Sequence, residues 1–251
     1  MAEEQEDTVL YLSSKYSQAS TISTQLSRPL VLTDAFNYEL GLLRLFYPGQ
    51  FYNVTHGDMS YYSFTKKTRT MASVPTQFYA TPQQFIEAFT TAFGQDSEFY
   101  PLSYDEHSRK FQILLRSDGV MAPFLQISPN LARFMRLPEQ IDQKLGYVES
   151  ITPWDPTAGQ EQMFLHCNLV NFVNVNTTCQ PLLTALGHGA GRKTTTGQIV
   201  YEPSNVLYIP ISQKVISEIS IDFKTADGKG FPFIGGETMA VLHLRPSQPF
   251  I

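Results

Sequence analysis

Over residues 215–245 apolar and polar side chains alternate with a period of two, and no other feature of the chain constrains its fold as strongly. Val215, Ile219, Ile221 and Phe223 share one parity, against Glu218, Ser220 and Asp222 on the other. Further on, Ala240, Leu242 and Leu244 alternate with Val241, His243 and Arg245. Successive side chains of a strand point to opposite faces, so this spacing specifies half-buried strands rather than helices. Asp227-Gly228 lies between the two runs as a turn signal, and two antiparallel strands are expected to close the domain.

The same period recurs upstream. Ile22, Leu26, Leu30 and Leu32 alternate with Ser23, Gln25 and Ser27, and Pro29 inside the run points to an edge position or a bulge. Residues 38–47 are apolar on both parities at Leu40, Leu42, Leu43 and Leu45, which suits a strand covered on both faces before the turn at Pro48-Gly49. Residues 59–66 read as a further strand. The period changes after Thr81-Pro82, a cap followed by proline in the first turn. There Phe85, Ile86, Phe89 and Phe93 fall on one face of a helix that should lie against a sheet.

Tyr100, Leu102 and Tyr104 face Phe111, Ile113 and Leu115 across a polar turn, as a hairpin would place them, and Ser128-Pro129 opens a short helical turn. Residues 163–175 are nearly uncharged and fit one long central strand in which His166 and Asn168 need internal partners. About nine or ten strands and one good helix, with no strand-helix-strand repetition, disfavour parallel α/β and repeat folds. The expected fold is all-β, a single jelly-roll β-sandwich with one short amphipathic helix insert; a chain of 251 residues is long for an immunoglobulin-like sandwich. Residues 1–8 read as a mobile acidic N-terminal arm, and residues 9–251 as one jelly-roll domain with long loops at about 145–160 and at 187–197.

Composition narrows the function. Charged residues make up 16% of the chain, against roughly 25% in an average soluble protein. A surface so poor in charge suits lateral packing against neighbours, because little desolvation or like-charge repulsion opposes it. The net charge of −5 gives no basic surface for nucleic acid. Two cysteines, Cys167 and Cys179, are too few for a disulfide scaffold or a zinc site and read as reduced, buried thiols. No apolar run is long enough for a signal peptide or a membrane span, so the chain is expected to be made and folded inside a cell.

The residues that chemistry would need are scattered. The five histidines, at 56, 107, 166, 188 and 243, form neither an H-x-H nor an H-E-x-x-H pattern, so the metal chemistry of jelly-roll enzymes is not expected. His166 reads as a hydrogen-bonded core residue and His243 as solvent-facing. The adjacent His166 and Cys167 point to opposite faces of a strand and cannot act together within it. Glu218 and Asp222 read as ordinary solvent-face carboxylates. Asn53-Val54-Thr55 and Asn176-Thr177-Thr178 match the glycosylation pattern, which carries little weight without a signal peptide. Neither an enzyme nor a cofactor site is expected. The glycine-rich stretch Gly187, His188, Gly189, Arg192 and Lys193 lacks phosphate-loop spacing and is read as an exposed contact loop that touches a partner or receptor.

Three segments resemble the penton, or minor capsid, proteins of polinton-like viruses, adintoviruses and virophages. The first is Thr-Val-Leu-Tyr-Leu-Ser-Ser-Lys at 8–15, followed by Tyr-Glu-Leu-Gly-Leu-Leu-Arg-Leu-Phe-Tyr-Pro at 38–48 and by Tyr52-Asn53. The second is Met-Phe-Leu-His-Cys-Asn-Leu-Val at 163–170, with Pro-Leu-Leu at 181–183. The third runs from Tyr-Ile-Pro-Ile at 208–211 through Ile216, Ile219 and Ile221 to Gly235-Gly236 and Val-Leu-His-Leu-Arg at 241–245. The resemblance implies a homopentamer at the fivefold vertices of an icosahedral virion, assembled inside the host cell beside a double jelly-roll major capsid protein. It also implies outward loops, among them 187–197, that could meet a host receptor or a fibre. The alternative is a lectin-like jelly-roll carbohydrate-binding module, for which Trp154, between prolines, and some of the 13 tyrosines are the candidate surface aromatics, although a loop tryptophan pinned over the core is the preferred reading of Trp154.

Overall fold

The structure, a computed structural model, describes residues 7–14, 20–115, 124–138, 141, 146–157, 160–175, 178–187 and 189–247. The chain divides into two compact units, residues 1–51 with 160–251, and residues 52–159. The first unit opens with β1 (Thr8–Ser13), β2 (Thr21–Val31) and β3 (Tyr38–Pro48). The second carries β4 (Gly57–Ser63), β5 (Thr68–Val74), α1 (Pro82–Phe93), β6 (Leu102–Asp105), β7 (Lys110–Leu114), β8 (Leu125–Ile127), α2 (Pro129–Met135) and β9 (Tyr147–Glu149). The chain then re-enters the first unit with β10 (Gln162–Cys167), β11 (Val173–Val175), β12 (Thr178–Gln180), β13 (Leu182–Gly187) and β14 (Arg192–Lys193). It ends with β15 (Gln198–Tyr201), β16 (Tyr208–Ile211), β17 (Val215–Lys224) and β18 (Met239–Pro246).

Pairing in the first unit is nested. The first strand, β1, pairs with the last, β18; β2 pairs with β17; β3 pairs with β15 and β16; and β10 pairs with β13, all antiparallel. These pairs fall alternately into two sheets, one ordered β1-β18-β3-β15-β14 with β16 also on β3, the other β13-β10-β17-β2. A long antiparallel ribbon rolled up in this way is a jelly roll, so the expected all-β sandwich is the observed fold. Both sheets contribute to one core, where Ile22, Leu40, Leu45, Leu165, Ile219, Ile221, Phe223 and Leu242 are fully buried. Each such side chain stabilises the fold by roughly 1.5–3 kcal/mol. Pro29 does mark an edge, because β2 is an outer strand of its sheet.

The second unit has its own core. Thr81 caps α1 by accepting a hydrogen bond from the Gln84 amide at 3.3 Å, and the Gln84 side chain accepts one from the Ala80 amide at 3.0 Å. The helix buries Phe85, Phe89 and Phe93, as its spacing requires, and α2 is capped in the same manner by Ser128. Two three-stranded sheets, β5-β4-β8 and β6-β7-β9, complete this unit. The single domain expected over residues 9–251 placed α1 and the β6–β7 hairpin within the jelly roll, whereas both belong to a cluster of buried side chains separate from the sandwich core. Residues 1–6 of the expected acidic arm lie outside the described residues, and Thr8 already belongs to β1.

One buried charge in this unit gives a pH dependence. Asp96 is nearly inaccessible and accepts hydrogen bonds from the Ser63 hydroxyl at 2.5 Å and from the amide and hydroxyl of Thr65, both at 3.1 Å. Burial alone would raise its carboxyl, but these donors outweigh burial and hold it below the usual value. A folded-state value below the unfolded one, about 3.9, contributes stability that is present above that pH and lost as pH falls through the folded value. Acid unfolding followed by tryptophan emission should therefore show a declining midpoint below about pH 4. Asp96→Asn should flatten that decline and cost roughly 1–3 kcal/mol at neutral pH, because a buried donor loses its acceptor.

Three local expectations are corrected. β17 and β18 do not pair with each other but lie in opposite sheets. Asp227-Gly228 does turn the chain, with the Gly228 amide donating to Thr225 at 2.9 Å, yet the return segment pairs only briefly before crossing to the other sheet. The run 163–175 is not one strand, since β10 ends at Cys167 and β11 begins at Val173. The Asn168 side chain there accepts from the Ser220 amide at 2.9 Å and donates to the Glu218 carbonyl at 3.2 Å, so a side chain takes over the ladder where the strand stops. Val215 is 57% exposed, and Ile216 is buried in its stead, because a register shift between Ile216 and Glu218 reverses the parity.

Candidate interaction surface

Trp154 is not a surface aromatic. It is 5% exposed and packs edge-on against Tyr104, Phe111 and Phe134, with ring centroids 5.7–6.1 Å away. Its amide donates to the Arg109 carbonyl at 2.7 Å, which fixes the loop over the core. A tryptophan so held cannot stack a sugar, which removes the tryptophan named for the lectin-like alternative. The expected loop at about 145–160 also contains a strand, β9. Asn53, first residue of a glycosylation pattern, is fully buried, while Asn176 and Thr177 of the other lie outside the described residues.

The other titratable candidates are structural. His166 is buried opposite Asp222 in the β10–β17 ladder; burial, with help from Lys224, holds its imidazole below the ordinary value against the opposing pull of Asp222. Burial pushes the Cys167 thiol up to about 11, as expected of a buried cysteine, whereas Cys179, also expected to be buried, is exposed on the short strand β12. Glu218 accepts a hydrogen bond from the Ser23 hydroxyl and Asp222 one from Thr21, each at 2.7 Å, so both tie β17 to β2. Among the described residues, no group of three or more His, Cys, Asp and Glu side chains is placed to hold a metal ion, and no helix is long and apolar enough to cross a membrane.

His243 is not simply solvent-facing. Its Nδ1 shares a hydrogen bond with the Tyr208 hydroxyl at 2.8 Å, and its Nε2 lies 3.6 Å from Asp7. Beside it, Arg245 packs 3.5 Å from the centroid of the Tyr208 ring and bonds Glu39 through both Nε and Nη2 at 2.6 Å. This network joins β18, β16 and β3 on the sheet's outer face and pairs Arg245 with Glu39. Period-two parity pointed to His243 and Arg245 but gave no sign of Tyr208 or Glu39, which come from strands distant in the sequence. At the sheet's edge, β1 exposes Val9 and Tyr11, the latter 71% accessible, on a strand without a charged residue.

The glycine-rich stretch is a built hairpin rather than an open loop. Gly187 ends β13, His188 lies outside the described residues, and Arg192 and Lys193 form β14, paired with Val200 and Ile199 of β15. Gly187, Gly189, Arg192 and Lys193 are all exposed. Gly191 has φ +115°, and a Cβ there would meet the Val200 carbonyl oxygen at 2.4 Å, so only glycine lets the two strands close. The Tyr47 hydroxyl donates to the Ala190 carbonyl at 2.7 Å and anchors the base. Thr194 closes the turn, its amide and hydroxyl donating to the Gln198 carbonyl at 2.8 and 3.0 Å.

That turn borders a cleft of about 410 Å³ whose other walls come from Pro48–Gln50 and Ile234–Glu237. Three hydrogen bonds hold the walls together: Gly49 amide to Gly197 carbonyl at 3.1 Å, Ile234 amide to Gln50 carbonyl at 3.0 Å, and Gln198 side-chain amide to Glu237 carbonyl at 3.0 Å. Glu237 is the one charged residue among those lining it.

The nested strand order, the uncharged edge at β1 and the fixed hairpin define a jelly-roll protein with a large insert between its third and fourth core strands. No family model matches the chain, and no curated protein matches it. Among solved structures it is similar to the mavirus penton protein, crystallised in selenomethionine form, at 11% identity over 97% of this chain and 100% of that one, with a TM-score of 0.44.

Proposed function

We propose that this chain is a structural capsid protein of the penton type, which closes fivefold rings at the vertices of an icosahedral virion beside a double jelly-roll major capsid protein. The observation that carries this reading is where the three capsid-like segments fall. Scattered in sequence from residue 8 to residue 245, they supply β1, β3, β10, β16, β17 and β18 and the start of β13. All of these belong to the jelly-roll unit; of the quoted residues only Tyr52 and Asn53 belong to the other. Resemblance gathered onto one folding unit is what a shared capsid scaffold with a variable insert would leave. Low charge and an uncharged edge strand support lateral packing in such a ring, whose contacts would be heterologous. A host receptor or a fibre would meet loops that lie outside the ring contacts.

Light scattering on the purified chain tests the reading. A mass five times the 28.4 kDa of one chain is the expected result. A monomer at every accessible concentration overturns it.

A further inference from the structure

We infer that the Arg192–Lys193 hairpin of one copy docks into the Glu237 cleft of the next copy, so that a charged contact between unlike surfaces repeats around the ring. The inference rests on the proposed ring, names one of its contacts, and assigns residues 192 and 193 to the ring rather than to the receptor-facing role expected of 187–197. Arg192 and Lys193 are exposed neighbours on the outermost strand of the six-stranded sheet, and neither has an ion-pair partner among the described residues. They are also held rigidly: the β14–β15 ladder, the glycine-dependent approach at Gly191, the Tyr47 anchor and the Thr194 turn together fix the hairpin that presents them. As successive residues of a strand they point to opposite faces, so one of the two enters the cleft while the other faces away, and the fixed backbone leaves only side-chain freedom to be lost on binding.

The cleft offers the complement. Its floor includes Pro48, its polar lining includes Gln50, Thr196 and Gln198, and its charge is the exposed carboxylate of Glu237, which also has no ion-pair partner among the described residues. No basic side chain lines it, and no aromatic ring is there to stack a sugar. The hydrogen bonds between its three walls preform it, and its volume lies in the range that accommodates inserted side chains. Its occupant is therefore a cation carried on a projecting element, and the chain itself has such an element. Hairpin and cleft adjoin at the 194–198 turn of each copy, so the contact is heterologous when each hairpin enters the cleft of the next copy in turn, and closure satisfies each of them once.

Charge reversal tests this on the full chain. Glu237→Lys alone, and Arg192→Glu with Lys193→Glu, should each raise the concentration of half-assembly by about tenfold or more, since repulsion replaces attraction at every contact. Combining all three substitutions should bring assembly back to within about threefold of the unmodified chain. The unmodified ring should also loosen in about 1 M salt, where the screening length is roughly 3 Å. Circular dichroism and a cooperative thermal transition identical to those of the unmodified chain establish that each variant is folded. A ring whose mass ignores the reversals, or a combined variant that fails to reassemble, overturns the contact and leaves the ring reading standing. An unmodified chain that never assembles overturns the ring reading and the contact with it.

Discussion

Phe85→Ala is expected to lower the stability of the second unit by about 3–5 kcal/mol, the usual cost of emptying a buried phenylalanine site. Phe85 is fully buried, with its ring centroid 4.7 Å from that of Phe134, 5.2 Å from Tyr79 and 5.5 Å from Phe111. These rings come from α1, α2, β7 and the segment before α1, so little can collapse into the space without moving a secondary-structure element. The chain has a single tryptophan, Trp154, whose neighbours Phe111 and Phe134 also contact Phe85. Urea unfolding followed by its emission therefore reads this core directly. A midpoint equal to that of the unmodified chain would show that the rings do not support one another.

Asn53→Asp should cost a similar amount, roughly 3–5 kcal/mol at neutral pH, although it changes one nitrogen to oxygen. The Asn53 side-chain nitrogen donates to the carbonyls of Tyr79 and Pro156, both at 2.9 Å, and its oxygen accepts from the Tyr79 amide at 2.8 Å. Two chain segments remote in sequence are thus tied through one buried amide. A carboxylate there would set negative charge against two carbonyl oxygens in a site without water access. The folded state raises such a carboxyl above its unfolded value, so the penalty is present at neutral pH and shrinks as acid protonates the group. Stability of the variant should rise as pH falls from about 7 towards 5, opposite in sign to the Asp96 effect. A variant as stable as the unmodified chain at neutral pH would contradict this account.

Local pattern revealed individual elements well and their partners poorly. Thr81-Pro82 and the spacing of Phe85, Phe89 and Phe93 located α1 within a residue, since capping and helical period are short-range. β3 was legible as a strand but is not covered on both faces, since Glu39, Leu43, Arg44 and Phe46 remain accessible on its outer side and Arg44 pairs with Glu202 there. By contrast, the crossing between β17 and β18 depends on which sheet has room for each strand, and an Asp-Gly turn looks the same whether or not the strands beside it pair. Strands of two or three residues, such as β9 and β14, are too short to show any period. The separate second core was hidden for a similar reason: apolar residues feed both cores, and their contacts, not their pattern along the chain, assign them to one or the other. In the candidate surface, the exposed cations at 192 and 193 were evident from glycine-rich context, but the Glu237 cleft needs three turns far apart in the chain to be seen together.

The nested pairing has a consequence for how the protein is made. β1, β2 and β3 find their partners only among β15 to β18, which are synthesised after the whole insert. Every strand pair of the insert, in contrast, lies within residues 52–159. During synthesis the insert can reach its final pairing while the opening strands, with their apolar faces uncovered, still wait for strands made later. Premature association between nascent chains is thus a hazard of the jelly-roll strands, and a truncation that removes only β18 should leave β1 without a strand to join and β3 with one flank bare.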